Sequence, residues 1–230
     1  GTAGTVRSSV DHNRAANPVP QKYYYLGPMF RHERPQAGRL RQFHQFGVEY
    51  FGTQDARADV EVMSLLWRFL SDLGLPDLTL EVNSLGTAAD RATYLPMLVA
   101  FLKDRADRLC ANCLRRLDTN PLRVLDCKVP ECRAATEDAP RLTDHLSAEA
   151  KAHFDDVLAG LTSLTIPYRL NSRLVRGLDY YCLTAFEVTS SHLGAQNAVG
   201  AGGRYDGLAE TLGGPKTPAV GFAAGLERIF

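Results

Sequence analysis

The chain has 230 residues, 45% of them hydrophobic and 23% charged, with 26 Lys+Arg against 26 Asp+Glu and a formal net charge of zero. That length can bury one full core and a smaller second one, while the balanced charge excludes binding of nucleic acid by bulk cationic attraction, so any RNA contact must be local. No apolar run reaches the roughly 18 residues of a membrane-spanning helix. The five cysteines are odd in number, and Gly1-Thr2-Ala3-Gly4 opens without a signal-peptide pattern, so a reducing cytoplasm is expected.

Tyr23-Tyr24-Tyr25-Leu26 and Val48-Glu49-Tyr50-Phe51 are rich in aromatic and branched residues and read as two strands around a hairpin loop. The loop carries Arg31, Arg34, Arg39 and Arg41, broken by Pro35 and Gly38. Asp55 can cap a helix over 56–73, which Gly74 and Pro76 end; Val60, Met63, Leu66, Trp67 and Leu70 mark its core face. Leu78–Asn83 is a short strand. A second helix is expected over 88–109, with Leu95, Leu98, Val99 and Leu102 on one face and Pro96 in its first half. Residues 110–146 lack clear periodicity and hold four of the five cysteines. Ser147 can cap a third helix to about Leu161. Strands return at Ile166–Leu170, Thr184–Val188 and Ala198–Ala201.

Strand–helix alternation does not dominate, so the fold class is α+β: an antiparallel sheet flanked by helices, with a mainly helical insertion. The division is 1–86 and 166–230 for the sheet domain and 87–165 for the insertion.

Guanidiniums are fork-shaped donors for oxygen anions, and a hairpin holds them rigidly, which suits a polyphosphate beside a carboxylate. Standing alone, the loop could equally be a solvated basic turn. Gln45, Gly47 and Glu49 alternate along the second strand and so share one face, beside the arginines. The glycine-dense Gly200-Ala201-Gly202-Gly203-Arg204-Tyr205-Asp206-Gly207 does not match GxGxxG, so a dinucleotide fold is excluded. Its glycines are expected to let backbone lie against a substrate, and Arg204 and Asp206 to pair across the turn. Cys110-x2-Cys113 followed by Cys127-x4-Cys132 is compatible with a four-thiolate zinc site and also with unligated thiols, and no metal ligand is assigned. Cys182 has no supporting base for a nucleophilic role.

Phe30-Arg31-His32-Glu33-Arg34 followed by Arg41-Gln42-Phe43-His44-Gln45-Phe46-Gly47 resembles motif 2 of the class II aminoacyl-tRNA synthetases, in its histidyl form. Leu174-Val175-Arg176-Gly177-Leu178-Asp179-Tyr180-Tyr181 resembles that family's histidine-recognition signature. Gly221-Phe222-Ala223-Ala224-Gly225-Leu226-Glu227-Arg228 resembles motif 3. The three occur in family order over nearly the whole chain.

The resemblance implies ATP-dependent activation of L-histidine to histidyl-adenylate and transfer to tRNA(His), with Mg2+ accompanying ATP, in a cytoplasmic homodimer. Arg31 would bridge the histidine carboxylate and the α-phosphate, and Arg176 would add a second cation there. Arg39 and Arg228 would hold the outer phosphates, and Glu33 the adenine side. Glu49 and Tyr181 would serve the two imidazole nitrogens, Gln45 and Thr2 the amino group and backbone, and Tyr180 the pocket wall. On the residues alone, Arg176 could instead pair with Asp179, and Tyr180 could be sheet packing. The family pattern also leads us to expect a Pro-Glu dipeptide and motif 1 upstream of Gly1, and an anticodon-binding domain after Phe230. A non-catalytic alternative is the related regulatory subunit of ATP phosphoribosyltransferase, which binds histidine but need not keep the phosphate-gripping arginines.

Overall fold

A computed structural model of the chain describes residues 1–14, 19–32, 40–193 and 197–230. Its elements, in order, are α1 Thr2–Asp11, β1 Gln21–Phe30, β2 Gln42–Phe51, α2 Ala56–Asp72, β3 Leu78–Ser84, α3 Ala88–Lys103, α4 Ala111–Thr119, α5 Leu122–Leu125, α6 Pro130–Ala135, α7 Ala148–Ser163, β4 Tyr168–Leu170, β5 Cys182–Ser190, β6 Ala198–Arg204, α8 Leu208–Thr211 and β7 Ala219–Gly225.

The strands form one seven-stranded sheet in the order β1-β2-β7-β6-β5-β3-β4. Every neighbouring pair is antiparallel except β3 and β4. The sheet is therefore mixed, with its one parallel pair at the edge, where α7 makes the crossover. The expected hairpin is present: β1 and β2 pair from Gln21↔Phe51 to Phe30↔Gln42.

Helix starts follow local chemistry. Asp55 accepts from the Arg57 N–H at the start of α2. Thr87 and Asp90 form a reciprocal capping box on α3. Ser147 caps α7 by accepting from the Ala150 N–H. The α3 helix stops at Lys103, not 109, because 103–108 (Lys-Asp-Arg-Ala-Asp-Arg) supplies no large apolar group to bury before Leu109; Pro96 consequently lies in its middle.

One face of the sheet packs against α2 and α7 through Met63, Leu66, Leu70, Val157 and Leu161, all fully buried. Strand residues Val82, Phe186, Val188, Phe222 and Ala224 complete this core. The opposite face carries a smaller cluster with Val6, Leu85, Val175, Tyr181, Ala185, Tyr205 and Leu208, and beside it a cleft. A third core, from Tyr94 to Leu142, contains no residue of the sheet.

Candidate active site

The strand register builds the cleft floor. One row across the sheet reads Tyr25, Gly47, Ala223, Ala201, Glu187. Three small residues leave a trough between a tyrosine and a carboxylate. The next row reads Tyr23, Glu49, Gly221, Gly203, Ala185. A Cβ on Gly47 would stand 2.2 Å from the Tyr25 ring, and one on Gly221 would stand 1.9 Å from Glu49 Oε2. Glycine at both positions makes room for those side chains.

The cleft encloses about 610 Å³ and is lined by Thr2, Tyr25, Arg31, Phe43, Gln45, Arg176, Tyr180, Tyr181, Glu187 and Arg228, among others. It thus brings together seven of the residues singled out in the sequence: Thr2, Arg31, Gln45, Arg176, Tyr180, Tyr181 and Arg228. Glu33 and Arg39 lie outside the described residues. Glu49 shares the cleft face of β2 with Gln45 and Gly47, in the next row of the sheet, and is fully buried.

Each cation is positioned. Arg31 leaves the end of β1; its Nε donates to the Leu40 carbonyl at 2.8 Å and its guanidinium stacks 4.2 Å from the Phe43 ring centroid. Arg176 donates from Nη1 to Glu187 Oε2 at 3.3 Å and lies 5.4 Å from the Tyr181 ring centroid. Its Nε is buried without a hydrogen-bond partner. Asp179, the alternative partner of Arg176, accepts from Asn120 Nδ2 instead, at 2.6 Å. Arg228 stands in the turn after β7 and donates from Nη1 to the Ala198 carbonyl at 2.6 Å. Its neighbour Glu227 is held by the His44 backbone N–H at 2.8 Å and by the His44 ring at 3.0 Å.

In that next row, Glu49 Oε2 accepts from the Tyr205 hydroxyl, while Oε1 has no hydrogen-bond partner of regular geometry. Burial raises the Glu49 pKa to about 7; the Tyr205 and Thr2 hydroxyls oppose the shift without cancelling it. Burial likewise raises the Glu187 carboxyl, against the pull of Arg176. Tyr180, Tyr181 and Tyr205 pack as a triad with centroids 4.7, 6.0 and 6.3 Å apart.

Tyr205 is the site residue that sequence reasoning passed over. Its signal was its place inside the glycine-dense segment, between two charged residues. The expected Arg204–Asp206 contact exists at 3.2 Å, but the principal partner of Arg204 is Asp59 on α2, and both side chains are fully buried. The glycines serve packing more than open substrate contact. A Cβ on Gly202 would lie 2.1 Å from the Gly221 carbonyl oxygen, and one on Gly203 would lie 2.9 Å from the Tyr181 ring.

A cleft with three arginines above a buried carboxylate and tyrosines can hold an anion beside a polar ring. Comparisons with known proteins show the family. The family model described as histidyl-tRNA synthetase matches residues 2–229. The histidine–tRNA ligase of Desulfatibacillum aliphaticivorans is 52% identical over 99% of this chain and 54% of its own length. That of Parasynechococcus marenigrum is 56% identical over 100% of this chain and 53% of its own length. The apo histidyl-tRNA synthetase of S. aureus superposes with a TM-score of 0.78 at 41% identity, covering 100% of this chain and 55% of that one. The chain spans about half the length of the relatives it matches.

Proposed function

The chain belongs to the histidyl-tRNA synthetase family, and from that premise we propose that its cleft joins L-histidine to ATP and serves histidylation of tRNA(His). The observation that carries the reading is the convergence of Arg31, Arg176 and Arg228 on one trough, above the buried Glu49.

In the activation step a histidine carboxylate oxygen forms a bond to the α-phosphorus of ATP. The bond from that phosphorus to the bridging oxygen breaks, and the electron pair leaves with pyrophosphate. The nucleophile is already ionised, so no base is required. The obstacle is the approach of one anion to another, and fixed cations with in-line positioning lower it. Arg31, locked against Phe43, and Arg176, with its unpartnered Nε, meet the carboxylate and α-phosphate. Arg228, with Arg39, takes the outer phosphates, and Glu33 takes the adenine side. Gln45 and Thr2 line the cleft where the amino group would lie.

Selection of histidine falls to Glu49 and Tyr181. The unpartnered Oε1 of Glu49 accepts one imidazole N–H, and the Tyr181 hydroxyl serves the other nitrogen. Analogues without these groups would leave a buried acceptor unpaired. Tyr180 packs on Tyr181 and walls the pocket.

Magnesium would enter on the phosphates. The cleft's own carboxylates are engaged, Glu187 by Arg176 and Glu227 by His44, so the described residues form no cage for it and no step is assigned to it. The division into a catalytic body, 1–86 and 166–230, and an insertion, 87–165, belongs to the same proposal, with α7 of the insertion packed under the sheet. So does a cytoplasmic homodimer, which the family membership supports; separately, no helix among the described residues is long and apolar enough to cross a membrane.

Histidine sensing by a regulatory subunit of ATP phosphoribosyltransferase is the weaker reading, because sensing does not call for three arginines in the cleft. Histidine-dependent exchange of pyrophosphate into ATP, measured on the whole protein, tests the choice. Exchange is expected; histidine binding without exchange would overturn activation in favour of sensing.

A further inference from the structure

Between Lys103 and Ala148 the insertion has little regular structure to hold it. It contains three short helices, of nine, four and six residues, and two 3₁₀ turns. A segment this poor in long elements needs a cross-link, a metal or a large core to fix one conformation. Its apolar core is small, and three cysteines sit in it.

Those cysteines converge. The Sγ atoms of Cys110, Cys113, Cys127 and Cys132 all lie within 4.8 Å of one another, with Cys110 and Cys127 at 4.0 Å. Four thiolates bonded tetrahedrally to zinc at about 2.3 Å would place their sulfurs roughly 3.8 Å apart. The observed cluster needs to contract by no more than about 1 Å to reach that arrangement. No disulfide links any of the four.

We propose that these four thiolates bind one structural zinc ion, which staples the start of α4, the turn after α5 and the body of α6 into one module. The donor set is all sulfur and closed at four, which selects a thiophilic tetrahedral ion and leaves no open position for catalysis. The surroundings suit a metal centre. The Cys110 backbone N–H donates to Cys132 Sγ at 3.1 Å. Such bonds orient and stabilise thiolate ligands. Cys113, Cys127 and Cys132 are buried, whereas Cys110 reaches the surface and gives the ion a way in. Binding releases the thiol protons to solvent.

The module touches the site described above. Asn120, at the end of α4, holds Asp179 at 2.6 Å, three residues beyond Arg176. Thr136, just after α6, accepts from Arg173 at 3.1 Å through its carbonyl and at 2.6 Å through its hydroxyl. The zinc therefore fixes both of these hydrogen-bonded contacts with the 173–179 loop. The metal assignment itself stands apart from histidine activation, and its test does not measure activity.

The whole protein, purified without added metal, should contain one equivalent of zinc by atomic emission. The four thiols should resist a thiol reagent until a chelator removes the ion. Cobalt substitution should give the charge-transfer and ligand-field absorption of a tetrahedral four-thiolate complex. Cys132→Ser should lose that spectrum and the zinc, while Cys182→Ser should keep both. Should Cys132→Ser fail to fold, the cobalt spectrum of the unmutated protein still decides. Protein without zinc, with four freely titrating thiols and melting unmoved by chelator or added zinc, would overturn the proposal, as would iron in its place.

Discussion

Along β7, Val220, Phe222 and Ala224 turn toward α2 and α7, while Gly221, Ala223 and Gly225 turn toward the cleft. The same alternation runs through β2, where Phe46, Val48 and Tyr50 pack on the helices and Gln45, Gly47 and Glu49 build the site. The helix face is filled by large apolar groups whose individual shapes can be exchanged at moderate cost. The cleft face is made of small residues that leave space and a few polar groups held in that space. On the first face energy is spread over many contacts; on the second it rests on single atoms with single partners.

Leu66→Ala gives the sharpest contrast. Leu66 is fully buried under the sheet. Its truncation should destabilise the fold by about 2–5 kcal/mol, read as a lower urea midpoint with unchanged slope. Histidine affinity of the folded fraction should hold. A loss of affinity equal to the loss of stability would show that the faces are not separable.

Arg176→His acts on the other face. The activation rate should drop roughly 10²–10³-fold, as for the loss of one charge-stabilising donor in a transition state. Histidine affinity should change far less. Single-turnover adenylate formation measures the rate, and an unchanged rate would remove Arg176 from the α-phosphate.

These two expectations also mark what the sequence made legible. The α2 core stripe was readable because Val60, Met63, Leu66 and Leu70 recur at helical spacing and the structure buries all four. Motif order named the arginines and tyrosines of the cleft. The interior strand β7 was not readable as a strand, because Gly221, Ala223 and Gly225 carry no strand propensity; their smallness answers to Glu49 and the trough. The α1 helix was missed for a related reason. Gly4, Thr5, Ser8 and Ser9 are poor helix formers, and tertiary burial of Val6 and Ser9 holds it. The cysteine cluster showed a spacing, but only folding shows four sulfurs at one point.

Glu49 should couple stability to pH. Its pKa of about 7 in the fold stands against an ordinary 4.5. Between those values the native state keeps a proton that the unfolded chain has lost. The stabilisation is therefore full below pH 4.5 and is lost as pH rises through 7, a change on the order of 3 kcal/mol. Glu49→Gln should flatten that part of the melting-temperature profile; an unaltered profile would place the titration elsewhere. Glu49→Ala should weaken histidine at least tenfold and ATP little, since an unpaired buried N–H costs roughly 1–3 kcal/mol. Calorimetry with each ligand separates the two, and loss of ATP affinity alone would move Glu49 to the nucleotide side.

Tyr205→Phe should have the smallest effect and tests the polar face most closely. Tyr205 is almost wholly buried and donates to Glu49 Oε2, a bond that holds the Glu49 pKa down against burial. Phenylalanine keeps the ring and its packing on Tyr180 and Tyr181, so little cavity forms. What is lost is one hydrogen bond, worth about 1 kcal/mol net. Histidine should bind several-fold more weakly near neutral pH, and the fall in stability with rising pH should shift upward, because the carboxyl holds its proton longer. Both movements come from one atom. A variant with weaker histidine binding but an unmoved pH profile would mean that Tyr205 shapes the pocket without setting the charge of Glu49.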